Sequence, residues 1–187
     1  MSVAEGFKAH TDTRNVYTIA VPEAAEVLVR DEAELQAQRG TLSFSWLVLG
    51  QEGLVVRTSC ARLEEWHKHI CYNRARTQEE YAREAVEMYE ARSKHYFKER
   101  AASAVQWDKN LLVGKIPGGV NCVRLATWWG SEPELPHSFT CFAAVSEHWI
   151  VTGSIEEEVP LSTGDIMASL AFLEGAAHPA SAASNWD

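Results

Sequence analysis

No Cys-x-x-Cys pair occurs in this 187-residue chain, and its four cysteines, Cys60, Cys71, Cys122 and Cys141, sit at irregular intervals. That excludes a zinc ribbon and a dense disulfide framework, and reduced thiols in a cytoplasm become the expectation. There is no apolar run long and charge-free enough to cross a bilayer. Residues 1–10 lack the basic stretch, apolar core and small-residue cleavage site of an export signal. A cytoplasmic protein with no membrane partner is therefore expected. Catalytic signatures are absent too: there is no Gly-x-Ser-x-Gly, no His-Glu-x-x-His and no glycine-rich loop before a helix. Gly114-Lys115 has neither the earlier glycine nor the following hydroxyl of a phosphate loop. Basic residues are scarce at the C-terminal end, where residues 116–187 carry one against nine acidic side chains. With a net charge of −9 the chain repels phosphate backbones, so nucleic acid is not an expected partner.

What is present is enough apolar material, 46% of residues, to fill one sizeable core. Residues 15–21 alternate, with Tyr17, Ile19 and Val21 on one side, as in a half-buried strand ended by Pro22. Val27, Leu28 and Val29 read as a short strand, and residues 31–38 as a helical turn or two, because helix formers run there up to Gly40. Residues 41–49 alternate again, with Leu42, Phe44, Trp46 and Val48 on one face, and pair as a hairpin with residues 54–60. Thr77-Gln78-Glu79-Glu80 is a capping box that starts a helix whose apolar stripe holds Tyr81, Ala85 and Met88. Further strand patterns cover 95–98, 104–107, 111–116, 120–129, 138–145 and 149–155, with Pro117-Gly118-Gly119 as a tight hairpin turn. Ser162-Thr163-Gly164-Asp165 offers a second helix cap.

This order predicts an α+β fold of two layers, an antiparallel sheet with helices packed on one face. Residues 1–14 would be a polar lead, 15–175 the domain and 176–187 a flexible tail.

Three groups of residues invite a functional reading. His67, His69 and Cys71 share a face if their segment is a strand, and imidazole with thiolate suits zinc. If residues 62–72 are helical, Leu63, Trp66 and Ile70 make an apolar stripe instead, and no metal is needed. Trp128 and Trp129 are adjacent on a strand, so one must leave the sheet–helix core. With Glu132 and Glu134 in the prolyl loop that follows, they form a candidate partner-binding edge. Glu156, Glu157 and Glu158 would extend it as an acidic plug for a cationic pocket, the alternative being a solvated run that guards a sheet edge.

In element order the chain resembles the PsbP-like and DcrB-like superfamily. The resemblance rests on Val16-Tyr17-Thr18-Ile19-Ala20-Val21-Pro22, the hairpin from Thr41, the helix start Gln78-Glu79-Glu80-Tyr81, the strands between Phe139 and Ile155, and the closing helix. It implies helices on a central antiparallel sheet and a bacterial, non-catalytic role without cofactors: an immunity protein that neutralises a secreted toxin, or a chaperone for a type VI secretion effector. The lack of an export signal then points to a toxin acting in the cytoplasm. The polar segment at residues 62–76 departs from the chaperone pattern. A metal-dependent enzyme using His67, His69 and Cys71 is the reading from a different class.

Overall fold

The structure, a computed structural model, describes residues 3–37, 40–70, 76–99, 104–130, 136–158 and 162–173. In chain order the elements are β1 (Phe7–Thr11), β2 (Tyr17–Pro22), β3 (Glu26–Ala37), β4 (Gly40–Gln51), β5 (Leu54–Arg62), α1 (Leu63–Ile70), α2 (Gln78–Glu99), β6 (Ala104–Trp107), β7 (Leu112–Ile116), β8 (Gly119–Trp129), β9 (His137–Val145), β10 (Trp149–Glu157), α3 (Thr163–Ser169) and β11 (Ala171–Phe172).

Eight strands form one antiparallel sheet in the order β3-β4-β5-β10-β9-β8-β6, with β7 also paired to β8. A second sheet is β1-β2-β11. The two-layer α+β expectation is therefore corrected: 55% of the described residues are strand and 24% helix, and the protein is mostly β. The physical reason lies in β9 and β10. Eight of nine residues of β9 and seven of nine of β10 are buried, a density that covering one face alone does not produce. Odd-numbered Phe139, Cys141, Ala143 and Val145 face α1 and α2, whereas Phe142 and Ala144 face the small sheet and α3. The layers are thus small sheet with α3, large sheet, and α1 with α2.

Local chemistry explains most boundaries. The Thr77 cap forms as its sequence predicts: Glu80 N–H donates to Thr77 Oγ1 at 3.2 Å, and Thr77 N–H donates to Glu80 Oε2 at 2.8 Å. The helix runs on through residues 95–98, expected as a strand, because Phe97 continues its buried stripe into a cluster with Trp107, Trp128 and Phe139. Gly118 turns β7 into β8 with φ of 81°, the left-handed conformation that glycine tolerates. Residues 31–38 are no helix. Up to Ala37 they belong to β3, whose twelve residues pair with β4, so cross-strand pairing overrides helix propensity. β1 lies inside the stretch expected as a polar lead and pairs residue for residue with β2. The tail, residues 176–187, lies outside the described residues.

The small sheet is fastened to the large one by a buried polar network. Asp12 Oδ1 accepts from the N–H groups of Val16 (2.6 Å) and Tyr17 (3.4 Å), while Oδ2 accepts from Arg14 N–H (3.3 Å) and Ser45 Oγ (3.1 Å). Tyr17 Oη is hydrogen-bonded to Thr58, whose hydroxyl lies 3.0 Å from the Leu47 carbonyl. Packing is very close at Gly153, where an added Cβ would lie 2.2 Å from the Arg57 carbonyl oxygen and 2.7 Å from Phe142 Cζ. Gly153→Ala must displace backbone or that ring, so a loss of about 3 kcal/mol is expected, read from urea unfolding. A change below about 0.5 kcal/mol would contradict this packing.

Candidate functional site

Trp128 is 4% exposed and cannot serve as a partner-facing side chain, which corrects the sequence expectation. Its ring stacks on His137 (centroids 4.3 Å, 18° between planes) and meets Tyr96 and Phe97 edge-on at 6.4 and 6.1 Å. Trp129 points to the opposite face, as strand alternation requires, and is half-buried. Glu132 and Glu134 lie outside the described residues.

The glutamate run is divided by the same alternation. Glu157 is 3% exposed and caps α3: Oε1 accepts from Ser162 N–H at 2.9 Å, and Oε2 accepts from Thr163 N–H at 3.1 Å and Thr163 Oγ1 at 2.6 Å. It is no part of a surface plug. The cap expected from Ser162 itself makes no side-chain hydrogen bond. Glu156 is ion-paired with Arg57 at 3.3 Å, and only Glu158 is exposed.

His67 and His69 are on α1, two residues apart on a helix, and so point to different sides. His67 Nδ1 is 2.7 Å from Tyr81 Oη, and burial, followed by nearby Arg76, lowers its pKa. Leu63 and Trp66 are buried, as the helical alternative required, and Cys71 lies outside the described residues. Among the described residues no three His, Cys, Asp or Glu side chains could hold a metal ion together.

Nor does the polar network carry an activated nucleophile. Burial pushes the Cys60 thiol up to about 12 and the Tyr17 hydroxyl well above its ordinary range. Cys122 and Cys141 are raised by burial as well, and all three thiols are free.

The unusual surface is at the other end of the large sheet. Of seven exposed large apolar side chains among the described residues, five are on the β3–β4 hairpin: Val27, Leu28, Val29, Leu35 and Trp46. Leu28 is 57%, Leu35 50% and Trp46 46% exposed. A bulge between Val27 and Val29 places Leu28 over Gly50, where a Cβ would lie 2.7 Å from Leu28 Cδ1. Register puts Val29 beside Val48, Leu35 beside Leu42 and Asp31 beside Trp46, so Leu28, Val29, Leu35 and Trp46 share the face that carries the helices. The helices leave it open. α2 covers β8, β9 and β10, while α1 is tied to β4 where Ser43 N–H donates to Glu65 Oε2 at 3.0 Å. Phe44 and Trp46 rings lie 5.2 Å apart and form an aromatic step down from α1 onto this floor.

On β3, Glu26 and Asp31 share the floor's face, whereas Arg30, Glu32 and Glu34 lie on the small-sheet face. Trp128, Trp129 and Glu156 to Glu158, expected at a partner-binding edge, are on β8 and at the end of β10 and not on this hairpin. The sequence signal was the alternation Val29, Asp31, Ala33, Leu35 running towards the Thr41 strand, masked by the helix propensity of the same residues.

The chain matches no protein-family model, and no curated protein is significantly similar to it. No helix among the described residues is long and apolar enough to cross a membrane.

Two measurements test this geometry. Glu157→Ala leaves the first N–H groups of α3 without their acceptor and is expected to cost about 2 kcal/mol in chemical denaturation. Iodoacetamide at pH 8 should label Cys60, Cys122 and Cys141 only after unfolding, as read by peptide mass spectrometry. Rapid native labelling at any of the three would show that its site opens.

Proposed function

We propose that this chain is a non-catalytic protein-binding domain that seats its partner on the open face of β3 and β4. The carrying observation is the concentration of exposed apolar side chains on one hairpin, with Trp46 at its centre. Scattered exposed leucines or valines are ordinary on a soluble domain, but an aromatic among clustered aliphatic residues with a charged rim is the composition of an interface core. Buried central Trp residues are also where binding energy concentrates. Glu26 and Asp31 on that face favour a partner with a basic rim and speed encounter with it at low salt.

Among protein-binding roles, neutralising a secreted toxin is the form that the resemblance in element order implies. The three free buried thiols suit a reducing compartment. A secretion chaperone is the second reading, favoured by one observation: the large sheet keeps an uncovered apolar floor on which a client helix could lie.

Trp46→Glu tests both. Affinity capture from a lysate of the source organism, followed by mass spectrometry, is expected to recover a partner with the wild-type chain and at least about tenfold less with the variant. Thermal melting of the variant should match the wild type, because Trp46 is already half in water. Equal recovery would rule out this face as the docking surface. A captured enzyme whose activity is blocked would support the immunity role, and a client retained through one isolated apolar helix would support the chaperone.

A further inference from the structure

We propose that β3 is the contact edge of a symmetric homodimer, in which two copies join their eight-stranded sheets through antiparallel β3–β3 pairing about a two-fold axis at Glu32. This goes beyond the partner reading above and does not depend on it, since it uses the strand edge and leaves the sheet face outward.

β3 is the terminal strand of the large sheet, twelve residues long, paired only with β4 among the described residues and free of proline. Exposed strand edges are normally shortened, interrupted or capped, because their free N–H and C=O groups recruit another strand. The opposite end of this sheet follows that rule, with β6 and β7 only four and five residues long. β3 does not. Its bulge is confined to the Val27–Val29 end, and the pairing from Val29 to Ala37 is regular.

The order of side chains along the edge is self-complementary. With Glu32 on the axis, Arg30 of each copy stands opposite Glu34 of the other, and Val29 stands opposite Leu35. Directly opposed residues of an antiparallel pair are about 5 Å apart at Cβ and share a face. The pairing therefore makes two Arg–Glu contacts on one face and two Val–Leu contacts on the other, where Val48 and Leu42 of each copy lie next in line. Centring the axis on Arg30 opposes two guanidiniums. Centring it on Asp31 opposes two aspartates and exchanges Val–Leu for Val–Ala. Only the Glu32 axis satisfies both the Arg30 charge and the Val29 and Leu35 side chains.

Its one like-charge contact is Glu32 with itself. That carboxylate already accepts a hydrogen bond from Thr13 Oγ1 at 3.1 Å, which holds it towards the β1–β2 loop. A two-fold closed contact of this kind also terminates, so it yields a dimer and not a fibre. The axis stands perpendicular to the sheet, so the two Trp46-bearing floors come to lie on the same side and merge into one surface.

The test is sedimentation velocity on the full chain at concentrations up to about 1 mM. The wild type is expected to reach twice the 20.8 kDa chain mass. Arg30→Glu should be monomeric over the same range, and Arg30→Glu with Glu34→Arg should dimerise again. Arg30→Glu with Glu32→Arg, which would repair only the register centred on Asp31, should stay monomeric. Glu32→Gln should tighten the wild-type dimer several-fold. Matching far-UV dichroism and melting among the variants excludes misfolding as the cause, and these side chains are all exposed. A wild type that remains monomeric, a dimer indifferent to Arg30→Glu, or failure of the Glu34 exchange to restore it overturns the proposal.

Discussion

The structure depends on two strands that must be covered on both faces. β9 and β10 sit in the middle of the large sheet, and nearly every residue in them is removed from water. An apolar strand with two dry faces requires a layer above and a layer below. Helices α1 and α2 supply one, and the small sheet with α3 supplies the other. The turn from β10 into α3 shows how closely the layers are tied. Glu157 ends the central strand on the small-sheet side and simultaneously binds the first N–H groups of α3. A carboxylate that buried has few acceptable environments, and three donated hydrogen bonds are one of them.

The Asp12 network serves the same purpose at the other side of the small sheet. Its four accepted hydrogen bonds fix the β1–β2 turn, and one of them, from Ser45, reaches into the large sheet. Replacing water around a carboxylate requires this degree of satisfaction. The neighbouring Tyr17 and Cys60 are held in their protonated forms by the same burial, so the polar atoms here position sheets and have no reactive proton to offer near neutral pH.

Much of the fold was readable from short-range patterns. Strand alternation located β2, β4, β5 and β8 to β10 closely, and the Thr77 box located the start of α2, because both signals depend on neighbours in sequence. What failed depended on neighbours in space. Residues 31–38 have helix formers, yet pairing with β4 holds those up to Ala37 extended. Phe97 looked like part of a strand because its aromatic partners come from β6, β8 and β9, none of which adjoins it in the chain. The candidate site suffered the same way. Adjacent Trp128 and Trp129 had to face apart, but which one faced α2 was decided by the register of β8 on β9. The exposed apolar side chains of β3 are masked in the sequence by the helix propensity of the residues beside them.

Coverage of the sheet also explains why the exposed apolar residues gather where they do. α2 runs over β8, β9 and β10, and α1 reaches β4, β5 and β10, so helix cover is used up mainly on the strands that cannot do without it. β3 and β4 extend past that cover. On the small-sheet side β4 still contributes Leu47 and Leu49 to the core, both almost fully buried, which anchors the hairpin at its base. On the helix side the same strand presents Trp46 to water. If this exposure were only a by-product of limited helix cover, the uncovered positions would be free to be polar, as Ser59 is directly beside Trp46. Instead Leu28, Val29, Leu35 and Trp46 keep apolar side chains there at a cost in solubility, and the charges on the other side of β3 are arranged as Arg30, Glu32 and Glu34. A strand selected simply to repel other strands needs charge but has no use for that combination. Apolar residues on one face and opposite charges two places either side of Glu32 are what a strand requires when another strand is meant to arrive.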